Sequence, residues 1–418
     1  MFFDLLYQNN CHSYQCSDEM PEWIRTGDRN MTSNHWKSFS SLLSCWTSKE
    51  GNWTYKPQVP PLISKVYSNN KALSTKVYSS CTHFKNRKEA LQYVWEPPST
   101  CPAIPLFSRQ GFCEVMRGRV LFIIGDSMSL HTYETLVNAL GSRTQYGKGI
   151  CFLGNSSSIC ISQQAYTYCS NFNLPNFQVV SINLPLITDF QFAKQQLLSH
   201  QGMANGSVVV ANWGGHYVND DTMKKHMVSV MNWFDLEMPN SLFIYRSPNM
   251  IHLDCKNYTL PDNIMHKPAN FPGHPDWHHR EFPRQRWYWK KYLKEYNQLG
   301  RVYLDVFPLS SKRPGSQCVL LNILPVPLVI LIICPHITQT ESDQHPGGND
   351  CLHYCIPGPI DTWVILIYAV LSEIERRSVV ISSDVMTPQA LLAANSSTTN
   401  TTTITSTSSS SSSSSVHL

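Results

Sequence analysis

The sequence lacks a strong excess of charge of either sign. Its 418 residues include 33 Lys and Arg against 29 Asp and Glu, which gives a formal net charge of +4. The basic residues are scattered along the chain, whereas proteins that bind nucleic acid through its phosphates concentrate them in a patch or stripe. The composition therefore predicts that no nucleic acid is a partner.

The chain also lacks the paired C-x-x-C sets that mark structural zinc sites. Cys351 and Cys355 form a single spaced pair. His274, His278 and His279 have no acidic or cysteine companions at ligand spacing. We therefore expect no metal site.

No export signal is visible at the N-terminus. Residues 1–7 (MFFDLLY) are followed at once by polar residues, without a basic n-region or an apolar h-region of adequate length. Any membrane association would therefore depend on an anchor that is absent from this chain.

One internal stretch, residues 318–334 (CVLLNILPVPLVILIIC), is nearly all apolar. It is shorter than the ~20 residues that span a bilayer, and two prolines interrupt it. It is a buried insertion, a lipid-contacting hairpin or retained non-coding sequence in the gene model, and we favour the third. A well-packed insertion here would displace the loop that carries Asp350 and His353.

Cysteine, by contrast, is abundant. Fourteen cysteines are many for a cytosolic enzyme and favour an oxidising compartment. N-glycosylation sequons indicate the same compartment. They begin at Asn30, Asn52, Asn155, Asn205, Asn257, Asn395 and Asn400.

Composition divides the chain into four regions. Residues 1–44 are polar and weakly periodic, and we expect them to be loosely ordered. Residues 45–117 form a cysteine-containing module, and residues 118–377 form the main domain, in which 318–342 are the anomalous apolar insertion. Residues 378–418 end in a Ser/Thr tract with too little apolar surface to offset its ordering entropy, so we expect this tail to be disordered.

The main domain alternates short apolar runs with helical patterns. Such alternation predicts an α/β fold with a mostly parallel sheet, helices on both faces and ligands at the carboxyl ends of the strands. Ser127, Asn212 and Arg246 each follow one of these apolar runs. The predicted strands are residues 120–124, 177–182, 207–211, 241–245 and 302–306, and the predicted helices are 129–140, 187–199 and 221–236.

Ser127 follows the first of these strands, in the string Gly-Asp-Ser. A helix that starts there offers N–H groups and partial positive charge to a developing oxyanion. A serine nucleophile also needs an imidazole base held by a carboxylate. Asp350 and His353 supply that pair if they lie on a turn or a first helical turn, where residues three apart share a face. Gly-Asp-Ser is also a common helix-capping string, so it does not establish catalysis alone.

Five blocks in the chain, in this order, resemble the PC-esterase family, which comprises the trichome-birefringence-like polysaccharide O-acetyltransferases and their relatives in the GDSL/SGNH superfamily. The resemblance covers roughly residues 45–375. The blocks are YVWEPPSTC (93–101), GRVLFIIGDSMS (118–129), VVVANWGGHY (208–217), YRSPNMIH (245–252) and DCLHYCIPGPIDTW (350–363).

The resemblance implies an SGNH-hydrolase-like three-layer α/β/α sandwich with a disulfide-bearing N-terminal segment. It implies that Ser127 is the nucleophile, His353 the base and Asp350 its partner. The backbone of Ser127, with Asn212 and Gly214, would form the oxyanion hole.

For Arg246 the resemblance leaves three roles open: substrate contact, bracing of the site, or a structural salt bridge. No tightly bound cofactor is implied, but an acetyl donor is required as co-substrate. The family resemblance, cysteines and sequons together predict the secretory pathway, with the Golgi lumen as the favoured compartment.

The predicted activity is transfer of an acetyl group through Ser127 onto hydroxyls of a cell-wall or secretory-pathway polysaccharide. Two alternatives stay open. The same residues with water as acceptor would make a carbohydrate acetylesterase. A fold without catalysis would make a glycan-binding protein.

Residues 271–292 are crowded with aromatic, His and Arg side chains. Flat aromatic faces can stack on sugar rings, so Trp277, Trp287 and Trp289 are candidates for glycan contact. The alternative is that Trp287 and Tyr292 are core contacts of a helix that runs to about residue 299.

Overall fold

A computed structural model describes sixteen segments of the chain, and the account below is confined to them. They are residues 29–59, 62, 92–141, 150–153, 158–166, 168–184, 186–187, 190–199, 206–217, 219–249, 261, 281–296, 300–313, 317–319, 349–354 and 358–384.

Eleven strands and eight α-helices fall in these segments. In chain order they are α1 (Arg29–Trp46), β1 (Asn52–Tyr55), β2 (Tyr93–Glu96), α2 (Arg109–Met116), β3 (Val120–Gly125), α3 (Ser127–Ala139), β4 (Ile150–Leu153), β5 (Ser158–Tyr166), β6 (Phe177–Asn183), α4 (Phe190–Ser199), β7 (Val208–Asn212), α5 (Asp220–Glu237), β8 (Leu242–Arg246), α6 (Phe282–Tyr296), β9 (Arg301–Leu304), α7 (Phe307–Ser311), β10 (Gln317–Val319), β11 (Asn349–Tyr354) and α8 (Pro359–Asp384).

A seven-stranded sheet lies at the centre, in the order β4-β5-β6-β3-β7-β8-β9. The strands from β6 to β9 in this order are parallel, while β4 and β5 add an antiparallel edge. The five parallel strands are the five predicted from apolar runs. The antiparallel edge pair has no counterpart in the sequence prediction.

Helices cover both faces of the sheet. On one face Leu121 and Ile123 of β3 belong to a core shared with α2, α3 and α8. On the other face Val120, Phe122 and Ile124 of β3 belong to a second core, shared with α4, α5 and α6. Because successive strand residues point to opposite faces, a strand buried on both sides is apolar throughout. The three-layer α/β/α sandwich is confirmed.

The N-terminal prediction is wrong for residues 29–44. They form most of α1, which buries Trp36, Phe39 and Leu43 in the core of the first face. These apolar residues recur at helical spacing, and burial of that stripe stabilises the helix. Residues 1–28 lie outside the described part of the chain.

One disulfide closes a loop within the cysteine-containing module, and another joins the module to the main domain. Cys45 bonds to Cys101 within the module, and Cys113 bonds to Cys169 beyond it. The small sheet β1-β2 packs on α7, where the Trp53 indole donates to the Leu309 carbonyl over 3.0 Å.

The C-terminal boundary at residue 377 also needs correction. The backbone of α8 continues as helix to Asp384. Its buried residues, including Trp363, Ile367 and Leu371, pack against α2 and α3. Among the described residues, no helix has the length and apolar character needed to cross a membrane.

Gly125 ends β3 in a conformation that favours glycine, with φ of +146°. A Cβ there would overlap the carbonyl oxygen of Asn212 and the hydroxyl of Ser129. The ends of β3 and β7 therefore approach more closely than a side chain would allow. This contact sets the position of Ser127 relative to the β7 end.

We expect Gly125→Ala to lower the free energy of unfolding by more than about 3 kcal/mol, because it adds both steric overlap and backbone strain. Gly300→Ala is the matched control. Its φ is also positive, at +74°, but the nearest atom to a new Cβ lies 3.4 Å away, so only about 1 kcal/mol of strain is expected. Urea unfolding of both variants measures the difference, and equal losses would contradict the steric argument.

Candidate active site

Ser127 lies at the first position of α3, directly after the carboxyl end of a central strand. Asp126 is the N-cap residue, and its Oδ1 accepts a hydrogen bond from the Met128 N–H over 3.0 Å. Ser127 is half-buried, whereas Asp126 is buried. The capped helix therefore presents the hydroxyl-bearing residue at its positive end.

A small cavity that is partly open to solvent lies over this helix start. It receives residues from the β3–α3 turn, from the loops after β7 and β8, from the start of α6 and from β11. Its lining is Asp126, Ser127, Met128, Asn212, Gly215, His216, Pro248, Asn249, Phe282 and Leu352.

The strand β11, which contains Asp350 and His353, reaches this cavity through Leu352. Leu352, the residue before His353, lines the cavity together with Ser127. These residues are far apart in the chain, and the fold places them at the same edge of the sheet. For Asp350 and His353 themselves, the structure describes the backbone.

The expectation that Asp350 and His353 lie on a turn or a helical turn is wrong. Both belong to β11, which pairs antiparallel with β10. Side chains alternate along a strand, so a separation of three residues does not by itself place two side chains on one face. The pairing of these two residues therefore stays a prediction without the helical argument.

Three contacts hold the residues on either side of His353. The Asn249 Nδ2 donates to the Leu352 carbonyl over 3.0 Å. The Tyr354 hydroxyl donates to the Ser310 carbonyl over 3.4 Å, and its ring meets the Trp363 ring edge-on at 5.8 Å. Leu352 and Tyr354 are both buried, so the backbone at His353 is anchored from both sides.

The strands β10 and β11, which pair with each other, lie on either side of the apolar insertion. Val319 is the partner of Asn349, and Gln317 is the partner of Tyr354. The two flanks are thus bonded to each other, and β11 reaches the Ser127 cavity rather than being displaced from it. Residues 320–348, on which the three explanations for the run differ, lie outside the described part of the chain.

Of the three predicted oxyanion donors, Ser127 and Asn212 line the cavity and Gly214 does not. Asn212 lines it and is buried, with its Nδ2 donating to the Arg246 carbonyl over 3.0 Å. An amide nitrogen carries a second N–H. Gly214 is absent from the lining and faces the Gln285 side chain, whereas Gly215 lies between Phe282 and Asp126 at the cavity.

Arg246 does not contact the cavity, so its predicted contact with substrate is wrong. Its side chain is fully buried, with the guanidinium 4.5 Å from the centre of the Trp363 ring. Burial lowers the pKa of Arg246 to about 10, and the nearby carboxylate of Asp126 opposes that shift. Arg246 therefore stays charged at neutral pH, and its guanidinium lies over the Trp363 ring and near enough to Asp126 to interact electrostatically with it.

The three candidate tryptophans have different environments. Trp289 is fully buried and stacks on Tyr245 with ring centres 4.0 Å apart, so its predicted glycan contact is wrong. Trp287 is 54% exposed on the outer side of α6, with the Lys291 ammonium over its ring. The alternative prediction, that Trp287 is a core contact of the helix, is therefore wrong. Trp277 lies outside the described part of the chain.

Several lining residues were not predicted from the sequence. His216 and Gly215 belong to the block NWGGHY, and Asn249 belongs to YRSPNMIH. Their positions after β7 and β8, at the carboxyl edge of the sheet, are the signal that would have identified them. Phe282 follows a segment with no regular pattern and carried no such signal.

Among the side chains that the structure describes, no group of three His, Cys, Asp or Glu residues is arranged to hold a metal ion.

The two tryptophans of α6 provide a matched test of these environments. We expect Trp289→Ala to cost about 3–5 kcal/mol of unfolding free energy, because it removes a large buried ring. Trp287→Ala should cost no more than about 0.5 kcal/mol, since its ring is exposed. Thermal and urea unfolding of the two variants measure this. A large loss for Trp287→Ala would contradict the placement of α6.

Comparison with known proteins finds a similar family. The sequence profile of PC-Esterase, described as the GDSL/SGNH-like acyl-esterase family found in Pmr5 and Cas1p, matches residues 333–370. This match covers β11, which contributes Leu352 to the cavity, and the first half of α8.

Curated relatives extend the similarity over most of the chain. Protein trichome birefringence-like 38 of Arabidopsis thaliana is 24% identical over 353 residues, covering 77% of this chain and 83% of that protein. Xyloglucan O-acetyltransferase 4 of Populus trichocarpa is 21% identical, covering 78% and 80%. Xylan O-acetyltransferase 2 of Oryza sativa subsp. japonica is 22% identical, covering 78% and 69%. With its α/β/α sandwich and its Gly-Asp-Ser turn, the chain is similar to the PC-esterase family of GDSL/SGNH-type enzymes.

Proposed function

We propose that this protein is a serine-dependent O-acetyltransferase that acetylates hydroxyls of a polysaccharide. The observation that carries the proposal is that Ser127 and Leu352 line one cavity. This arrangement brings the backbone next to His353 to the helix start that bears the hydroxyl. A nucleophile, a base and an oxyanion site within one cavity are what acyl transfer requires.

In the first step the hydroxyl oxygen of Ser127 attacks the carbonyl carbon of the acetyl donor, and His353 takes the hydroxyl proton. The tetrahedral oxyanion accepts hydrogen bonds from the Ser127 N–H and from the loop after β7, where Asn212 and Gly215 line the cavity. Collapse breaks the bond to the donor's leaving group, which receives the proton from His353. Asp350 holds the imidazole in the required orientation.

In the second step a sugar hydroxyl takes the place of the leaving group. His353 accepts its proton as the hydroxyl oxygen attacks the acetyl carbonyl. Collapse then breaks the ester bond to Ser127, whose oxygen regains the proton. The product is an O-acetylated glycan, and the enzyme returns to its starting state.

The polysaccharide class is inferred from the relatives. Two of them are named as acetyltransferases of xyloglucan and of xylan, so the proposed acceptors are plant-type wall polysaccharides of this kind. The disulfides Cys45–Cys101 and Cys113–Cys169 fit an oxidising compartment, and we infer that the enzyme belongs to the secretory pathway, in the Golgi lumen.

Ser127→Ala tests the nucleophile. With 4-nitrophenyl acetate as donor and xylo-oligosaccharides as acceptors, we expect it to lower both acetate release and oligosaccharide acetylation by at least about 10³-fold. Ser129→Ala is the matched control. Its hydroxyl is buried on the same helix, donates to the Ile124 carbonyl and does not line the cavity.

Two results would revise the proposal. Acetate release by the wild-type protein without acetylated oligosaccharide would identify a carbohydrate acetylesterase. Unchanged acetylation by the Ser127→Ala variant would remove serine catalysis altogether and favour a glycan-binding role.

Asn249→Leu tests the anchoring of β11. It removes the donor to the Leu352 carbonyl and should lower kcat about tenfold or more, because a looser strand holds the base less well. Asn138→Leu is the control, since its buried Nδ2 also donates to a backbone carbonyl, that of Glu134, but away from the cavity. Faster amide exchange at residues 352–354 should accompany the loss in Asn249→Leu alone. Equal kinetic losses in the two variants would contradict the anchoring role.

A further inference from the structure

His216 occupies a special place among the residues that line the Ser127 cavity. Of the ten lining residues, it alone is classed as exposed, while Ser127 and Gly215 are half-buried and the others are buried. His216 therefore lies at the mouth of the cavity. An acceptor that approaches Ser127 from this side meets the His216 side chain.

The backbone that carries His216 is rigidly held. It lies in a tight turn in which the Tyr217 N–H donates to the Gly214 carbonyl over 2.9 Å. The Tyr217 carbonyl accepts from the Gln285 Nε2 over 3.0 Å. The buried Tyr217 hydroxyl accepts from the Ile187 N–H over 2.9 Å. These bonds fix the residue next to His216 on three sides.

An imidazole carried on this held backbone at the mouth suits a particular ligand. One ring nitrogen of a neutral imidazole donates a hydrogen bond and the other accepts one. Sugar hydroxyls likewise donate and accept, so an imidazole can hold a glycan through one or two of them. The proposed base is His353, so a contact between His216 and a glycan would be separate from proton abstraction at Ser127.

We propose that His216 positions the acceptor glycan for the second half of the reaction and so determines the ratio of transfer to hydrolysis. This inference rests on the proposed acetyltransferase function. Water is present at high concentration, and a sugar hydroxyl competes with it only if the site holds that hydroxyl next to the acetyl group on Ser127. A hydrogen bond from His216 supplies this hold at the point where the acceptor enters.

The test separates the two half-reactions in the full-length protein. Acetyl-enzyme formation is followed by the burst of 4-nitrophenol from 4-nitrophenyl acetate, and partition is followed as acetylated xylo-oligosaccharide against free acetate. We expect His216→Ala to keep the burst within about twofold and to lower the transfer-to-hydrolysis ratio about tenfold, as for one lost hydrogen bond. The KM for the oligosaccharide should rise with it.

Two further variants give the comparison. His216→Gln keeps a donor and an acceptor and should recover part of the ratio. Lys225→Ala removes an exposed cation of α5 that does not line the cavity, and its ratio should equal that of the wild type.

The outcomes are distinct. An unchanged ratio in His216→Ala, in a protein whose wild-type form transfers acetyl groups, would overturn the role of His216 alone. Loss of the burst in His216→Ala would also overturn it, since it would place this imidazole in acylation. Absence of a Ser127-dependent burst in the wild-type protein would overturn the proposed function, and the inference with it.

Discussion

The hydrogen bond from the Asn249 side chain to the Leu352 carbonyl is the contact on which the site depends. It joins two residues 103 positions apart and is buried. One partner follows β8 at the carboxyl edge of the parallel sheet, and the other lies in β11, outside that sheet. Among the described strands, β11 pairs only with β10 and not with the central sheet, so its position at the Ser127 cavity depends on side-chain contacts such as this one.

Other contacts make this arrangement stable. Trp363 links the strand to the sheet, because its ring meets Tyr354 on one side and the Arg246 guanidinium on the other. A buried guanidinium against an aromatic face is a favourable cation–π geometry. The charge of Arg246 in turn lies near Asp126, the cap of the helix that presents Ser127. The helix start at Ser127 and the strand that contains His353 are thus linked through the buried side chains of Asp126, Arg246, Trp363 and Tyr354.

The sequence predicted most of the fold and part of the site. The five parallel strands were found because strands buried on both faces are apolar throughout, and Ser127 was found because it follows one of them. The helix α1 was missed because its few apolar residues are spread among polar ones, and their burial depends on α8. Trp289 and Arg246 were assigned to substrate contact because residue type alone cannot distinguish a buried side chain from a cavity wall. His216 and Asn249 were missed because their role follows from the edge at which β7 and β8 end.

A double-mutant cycle on Ser127→Ala and His353→Ala tests the central claim most directly, that the hydroxyl and the imidazole act as one unit. Residues that share one catalytic step give losses that do not multiply. Each single variant and the double variant should therefore show about the same acetylation rate. Losses that multiply in the double variant, or wild-type activity in His353→Ala, would contradict the account.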